Sequence, residues 1–434
     1  MRAHRYAGPV FSIIGQTLRL AAARWPTLLA WYLAGWLARY LLIELAATFG
    51  ATNALAGLLI MPLAVLARLV SYIGMFLVLR ESMPAFSDLK RGGLDDVDRT
   101  AESAGRTARV YDILLASILP FFAFYAAWQF LGEDVVAYAI SSLEKINPFD
   151  PDYVSGGAVL DLRLNWASIS AIVVAFAGRY LIKRYQPRLP KWTPIVAVYL
   201  EAVWVYLSVL LVSTYVGEVN DWVSSRAAVE WAASVRAGIT GLFAPVGWIW
   251  GGVEWAIAET GGLVLLPLSW LALAGVIYGR ALAAKPVGFR PRGRYVDSAR
   301  TRYAALPSAV SRRVTDIGSD FVGRWRPLGN ALVLIWRAGV VPMGIFVLAY
   351  TVLEAATSWG LLAGVQLIGA HELLSWWGTF YGILAFGIAA IIEPLRICLV
   401  AAGYDFCLRK LEERRAEADL PEAVAAGDPD AVTA

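Results

Sequence analysis

At 434 residues, 59% hydrophobic and only 17% charged, with a mean hydropathy of +0.58, the chain is too apolar for a soluble globular domain. Soluble domains carry about a quarter charged residues. The net charge of +4 is small, and the charges fall in blocks between long apolar runs, the pattern of an all-α polytopic membrane bundle. Several of the 18 tryptophans, such as Trp25, Trp192 and Trp325, stand at the ends of apolar segments, where interfacial belts place amphipathic rings.

The first 25 residues are basic, with Arg2, Arg5, Arg19 and Arg24, and carry Phe11, Ile14 and Leu18 at helical spacing. They are expected to lie on the inner leaflet as an amphipathic helix. So long a leader, followed by an apolar run too long for a signal h-region, marks the first span as retained.

A bilayer core of about 30 Å needs some 20 apolar residues. Eight segments meet that length, near 26–49, 55–79, 110–131, 165–183, 194–217, 262–280, 328–353 and 377–402. Residues 239–258 are apolar enough to be a ninth, but counting them would put the basic loop 281–327 outside. With Pro245, Gly247, Gly251, Gly252 and Glu254, that stretch is expected to be re-entrant or interfacial. The outer stretches 134–146 and 361–376 are expected to be short interfacial helices. In loop 281–327, Val310, Val314, Ile317, Phe321 and Trp325 recur at helical spacing. Its arginines favour anionic headgroups by about 1 kcal/mol each. The tail 408–434 ends in the acidic, small-residue stretch after Arg415, where irregular chain is expected.

Lys and Arg counts orient the bundle. The N-terminal segment, the second–third, fourth–fifth and 281–327 connections and the C-terminal tail are rich in them. The opposite connections hold only Lys145, Arg163, Arg226 and Arg236. Both termini are therefore expected in the cytoplasm, in a plasma membrane. The Ala, Arg, Gly, Val and Trp bias resembles that of chains from high-GC bacteria. Cysteines introduced at Ser155 and Ser298 should label from opposite sides, Ser155 from outside; labelling of both from one side would overturn this topology.

A repeat is also legible. Odd spans open on "RWPTLLAWYL", "RVYDILLASIL", "KWTPIVAVYL" and "RWRPLGNALVL". Even spans close on "GMFLVLR", "GRYLIKR", "GVIYGR" and "GYDFCLR". Four helical hairpins of one orientation would produce this, as in parallel-repeat transporters. The interfacial preference of Trp and Arg produces it as well.

Ionisable residues inside spans set the functional question, because a charge at the bilayer centre costs about 2.5–3.5 kcal/mol on insertion scales. Arg39 and Glu44 lie in the first span, about 140° apart around a helix, so they cannot serve each other and need other helices. Arg179 and Glu354 stand near span ends and can snorkel. The interior set is then Arg39, Arg68, Glu201, Arg337, Glu393 and Arg396. Its positive excess suits an anionic guest, a lipid headgroup or an organic anion. Glu393 and Arg396 can pair at i, i+3, with Pro394 between them freeing a carbonyl. Arg39 is expected in an interior polar cluster with at least one of Arg68, Glu201, Glu393 and Arg396, its carboxylate drawn from Glu201 or Glu393.

Other chemistry is thin. His4 and His371 are the only histidines, which excludes bis-His haem and a His-based triad. HExxH, a P-loop and a Rossmann glycine pattern are missing. No aspartate falls in the centre of an assigned span. Glu144, Asp150, Asp152 and Asp161 make either a Ca²⁺ site or, more simply, a solvated acidic turn. Cys398 and Cys407 lie nine residues apart, roughly 13 Å along a helix, too far for a disulfide. Small residues at Ala30, Ala34 and Ala38, and at Gly378 and Gly382, are available for close packing. No cofactor, enzyme activity or nucleic-acid partner is expected. The expected partners are the bilayer, anionic lipids at the cytoplasmic face, and protein subunits or further copies of the chain. Two functions follow: transport or lipid handling of an anion, or a non-catalytic scaffold whose charges lock its helices.

Overall fold

A computed structural model describes residues 4–83, 104–127, 130–145, 166–185, 188–190, 192–226, 261–282 and 339–425, with 231, 234 and 252 singly. Every element among them is helical. In chain order these are α1 (His4–Gly50), α2 (Ala54–Arg80), α3 (Ala104–Ala127), α4 (Phe130–Lys145), α5 (Trp166–Tyr185) and α6 (Thr193–Ser224). A π-turn at Gly261–Leu265 then leads into α7 (Leu266–Leu282). After α8 (Val340–Ile368), a second π-turn, Leu373–Trp377, leads into α9 (Gly378–Ala425).

Six helices are long and apolar enough to cross a membrane: Ser12–Gly50, Ala54–Arg80, Trp166–Tyr185, Thr193–Ser224, Val341–Ile368 and Leu373–Lys410. The pair Ile113–Ala127 and Phe130–Lys145, bent by 77°, raises the number to seven if counted as one broken span. The expected eight are therefore not all present among the described residues. The segment near 262–280 forms a shorter apolar helix, Leu263–Tyr278. The stretch 239–258, apart from Gly252, lies outside the described residues. So do 283–338, with Arg337, and the acidic residues 150–161.

Large apolar side chains point outward, as at Leu37, Leu41, Val174 and Leu348, while Glu201, Arg396 and Asp405 are buried. That inversion of the soluble pattern belongs to a chain solvated by acyl tails.

The chain divides into two compact units: residues 1–32, 72–120 and 269–434, and residues 33–71 with 121–268. In the first, Arg24 donates to Ser82 and pairs with Glu81 at 3.5 Å, and Trp31 packs where a Cβ on Gly74 would stand. In the second, Gly35 abuts the Ser71 side chain, and a Cβ on Gly57 would come within 2.7 Å of the Gly50 Cα. These contacts make α1 and α2 an antiparallel hairpin. Asn53 caps the start of α2, its side-chain oxygen accepting from the Ala56 amide at 3.2 Å.

Also in the second unit, Phe176 meets Trp204 edge-on at 5.6 Å and Gly178 lies against Leu200, so α5 and α6 are antiparallel neighbours. In the first, Gly364 faces Leu384, Gly360 faces Ile388 and Gly403 faces Phe346, pairing α8 with α9. The middle pair joins the expected fourth and fifth spans through their short connection.

Several expectations change. The basic leader is not a separate surface helix: α1 runs unbroken from His4 through Pro26, and a membrane helix tolerates such a proline. Gln16 on that leader donates to Asp405 of α9 at 2.7 Å and accepts from Arg409 at 2.8 Å, which ties the segment to α9. The span expected at 328–353 continues to Ile368 in α8, absorbing part of the 361–376 stretch. Glu354, read as a span end, is mid-helix, because Arg396 neutralises it there. The tail is helical to Ala425, since "LEERRAEAD" consists largely of strong helix formers. The small-residue seam also moves. Ala30 and Ala34 are exposed, Gly382 has open space, and Gly35, Gly57 and Gly364 make the close approaches instead. Cys398 and Cys407 are buried and unbridged, so neither competes with a labelling cysteine at the surface.

Candidate functional site

The described members of the interior set fall into three ionic clusters. The first answers why the opening span carries Arg39. Its Nε donates to Asp134 Oδ1 at 2.7 Å, and its Nη2 bonds the same oxygen. The hydroxyl of Tyr125 donates to Asp134 Oδ2 at 2.5 Å and accepts from Arg68 Nη1 at 2.8 Å. Arg68 also lies over the rings of Tyr125 and Phe130, with its guanidinium carbon 5.5 and 5.3 Å from the centroids. Asp134 is fully buried. In low dielectric a charge-assisted bond of this kind is strong, and each partner would be costly left alone.

Arg39 therefore does sit in a polar cluster with Arg68, but its carboxylate is neither Glu201 nor Glu393. With 134–146 expected to be interfacial, no aspartate is expected in the centre of a span. In fact α4 turns its polar face inward, burying Leu131, Asp134, Tyr138, Ser141 and Ser142. The same helix serves Glu44. Ser141 donates to its Oε1 at 2.8 Å, and Lys145 Nζ bonds its Oε2 at 2.5 Å. One helix thus satisfies both Arg39 and Glu44, although they point to different sides.

The second cluster pairs Glu201 of α6 with Arg179 of α5 at 2.5 Å, both largely buried. Arg179 is not snorkelling: it holds the α5–α6 pair. In the third, Arg396 Nη1 donates to Glu393 at 2.7 Å, as the i, i+3 spacing predicts. Its Nη2 reaches Glu354 across the α8–α9 interface at 2.9 Å. The guanidinium stacks over Tyr350, 5.6 Å from its centroid.

Beside this third cluster, an apolar groove of about 330 Å³ is lined by Ile14, Thr17 and Leu18 of α1, by α8 residues including Leu348 and Val352, and by Leu395 and Leu399 of α9. Among the described residues no three His, Cys, Asp or Glu gather closely enough to hold a metal.

Asp134, Arg179 and Glu354 are the ion-pair partners not assigned from the sequence. A signal for Asp134 was present: Asp134, Tyr138, Ser141 and Lys145 follow i, i+4, i+7, i+11, a polar stripe along one side of the helix. No family model matches the chain, and no curated protein or solved structure matches it.

Proposed function

We propose that the protein is a non-catalytic membrane scaffold, or the accessory subunit of a membrane assembly, in which buried charges hold the helices in register. The observation that carries this reading is the pairing. Arg39, Arg68, Glu201, Glu393 and Arg396 each engage a side chain on the same or another helix. Guanidinia already bonded to side-chain oxygens offer little to an anionic guest, so the described members of the interior set support helix locking better than transport.

Arg39→Leu tests it. The expected result is a lower thermal midpoint of the purified protein with no change in any lipid or anion retained per folded molecule. Loss of a bound anion at an unchanged midpoint would overturn the reading in favour of transport.

A second reading, lipid handling, draws on the apolar groove between α1, α8 and α9. Its walls suit one acyl chain and offer no polar contact except Thr17, whose hydroxyl is already bonded to the Ile13 carbonyl. Filling it with Val352→Trp should displace a lipid that native mass spectrometry finds on the wild type. An unchanged lipid complement would count against it.

A further inference from the structure

The α8–α9 cluster differs from a simple ion pair. Two carboxylates, Glu354 and Glu393, share the one guanidinium of Arg396, which leaves one negative charge unmatched. The two are placed differently: Glu393 has 13% of its side chain exposed and Glu354 has 50%. Among the described residues, Glu354 is bonded through Oε2 alone, to Arg396 Nη2 at 2.9 Å.

Its depth makes that exposure unusual. Glu354 stands at the midpoint of Val341–Ile368, and Glu393 stands close to the middle of Leu373–Lys410. Two antiparallel helices thus agree in placing the exposed carboxylate at the centre of the bilayer. Charged groups at that depth pair with one another or face a bundle interior rather than acyl chains. The surface around Glu354 also suits a helix. Thr351, Ala355 and Ser358, at i−3, i+1 and i+4, are small, and Ala355 and Ser358 are exposed. Small residues let a second helix backbone come close.

We propose that this face of α8 is the docking site for a transmembrane helix of another protein, one that carries a lysine or arginine at mid-membrane and sets it against Glu354. The proposal rests on the accessory-subunit reading and gives the chemistry of the partner. Charge complementarity selects the cation. A second copy of this chain is a poorer fit. Among the described residues, the mid-span guanidinia of Arg39, Arg68, Arg179 and Arg396 already bond side chains of their own chain. A twofold contact through this face would also bring two copies of Glu354 together.

The probe is a synthetic leucine helix of about 21 residues with one central lysine. It is mixed with the full-length protein in phosphatidylcholine vesicles and followed by energy transfer between labels on each. It should associate about tenfold more tightly than the same helix with leucine at its centre, and a helix with central glutamate should not exceed that baseline. Glu354→Gln should bring the lysine helix down to the leucine baseline. Equal association of the lysine and leucine helices with the wild type, a comparison that needs no variant to fold, would overturn the proposal. So would a lysine advantage that persists in Glu354→Gln. Efficient cross-linking between copies of the chain through Ser358→Cys, at a high lipid-to-protein ratio, would overturn it too and assign the face to a homo-oligomer. None of these results touches the helix lock itself, which Arg39→Leu tests through the thermal midpoint at a different cluster, so the two readings fail separately.

Discussion

Asp134→Leu should destabilise the protein by about 3–5 kcal/mol, the cost of leaving a buried charge without its partner. The loss falls on three groups together. Arg39 loses the acceptor of both its bonds, and Tyr125 loses the acceptor for its hydroxyl proton. Arg68 keeps its bond to Tyr125, whose oxygen is then no longer polarised by a carboxylate. Removing both members of the principal pair, Arg39→Leu with Asp134→Leu, should recover part of that cost. The stranded guanidinium is then gone, and leucine is at home among apolar side chains. The measurement is a thermal or denaturant midpoint for the two single variants and the double. The informative quantity is the coupling, the amount by which the double falls short of the sum. A coupling near zero would mean that Arg39 and Asp134 do not act as a pair in the membrane.

Glu44 gives the comparison within the same helix pair. Glu44 and its partner Lys145 are more exposed, at 36% and 30% of the side chain. Lys145→Met should therefore cost well under 1 kcal/mol, as exposed pairs do. The difference between the two sites is depth, which sets the effective dielectric.

The apolar runs were legible in the sequence because hydropathy over 20 residues is a strong, local signal. α1, α2, α5, α6 and α9 all lie where long apolar segments stand. Ends were less legible, because a charge reads as a stop whether or not another helix neutralises it. Glu354 terminated a span on paper and lies mid-helix in the fold because Arg396, 42 residues later, meets it. Asp134 was hidden for the related reason that its partner is 95 residues earlier. Arg39, Arg68, Glu393 and Arg396 were legible as interior residues, since few other places accept a guanidinium within an apolar run. Which carboxylate each takes is a tertiary fact, and only the i, i+3 pair of Glu393 with Arg396 could be read locally.

The α1–α2 turn yields the second large effect. Gly57 lies one turn into α2, opposite Gly50 at the end of α1. A methyl group placed there would come within 2.7 Å of the Gly50 Cα and 2.8 Å of the Ala46 carbonyl oxygen, and would also strike the Tyr138 hydroxyl. The tyrosine can swing away, but the two backbone atoms cannot move without separating the helices. Overpacking of that kind costs about 1–3 kcal/mol. Gly57→Ala should lower the midpoint accordingly, and Tyr138→Phe in the same chain should restore only the part due to the hydroxyl. Gly387→Ala is the control: it lies in α9 with nothing within 4 Å of a new Cβ, and the helix itself gains roughly 0.5–1 kcal/mol from losing a glycine. The two alanines add the same atom to a helix and should move the midpoint in opposite directions. If Gly57→Ala stabilises as Gly387→Ala does, the α1–α2 hairpin does not close as tightly as these contacts require. The placement of α4, whose Tyr138 reaches that turn and whose Asp134 holds Arg39, would then be in error with it.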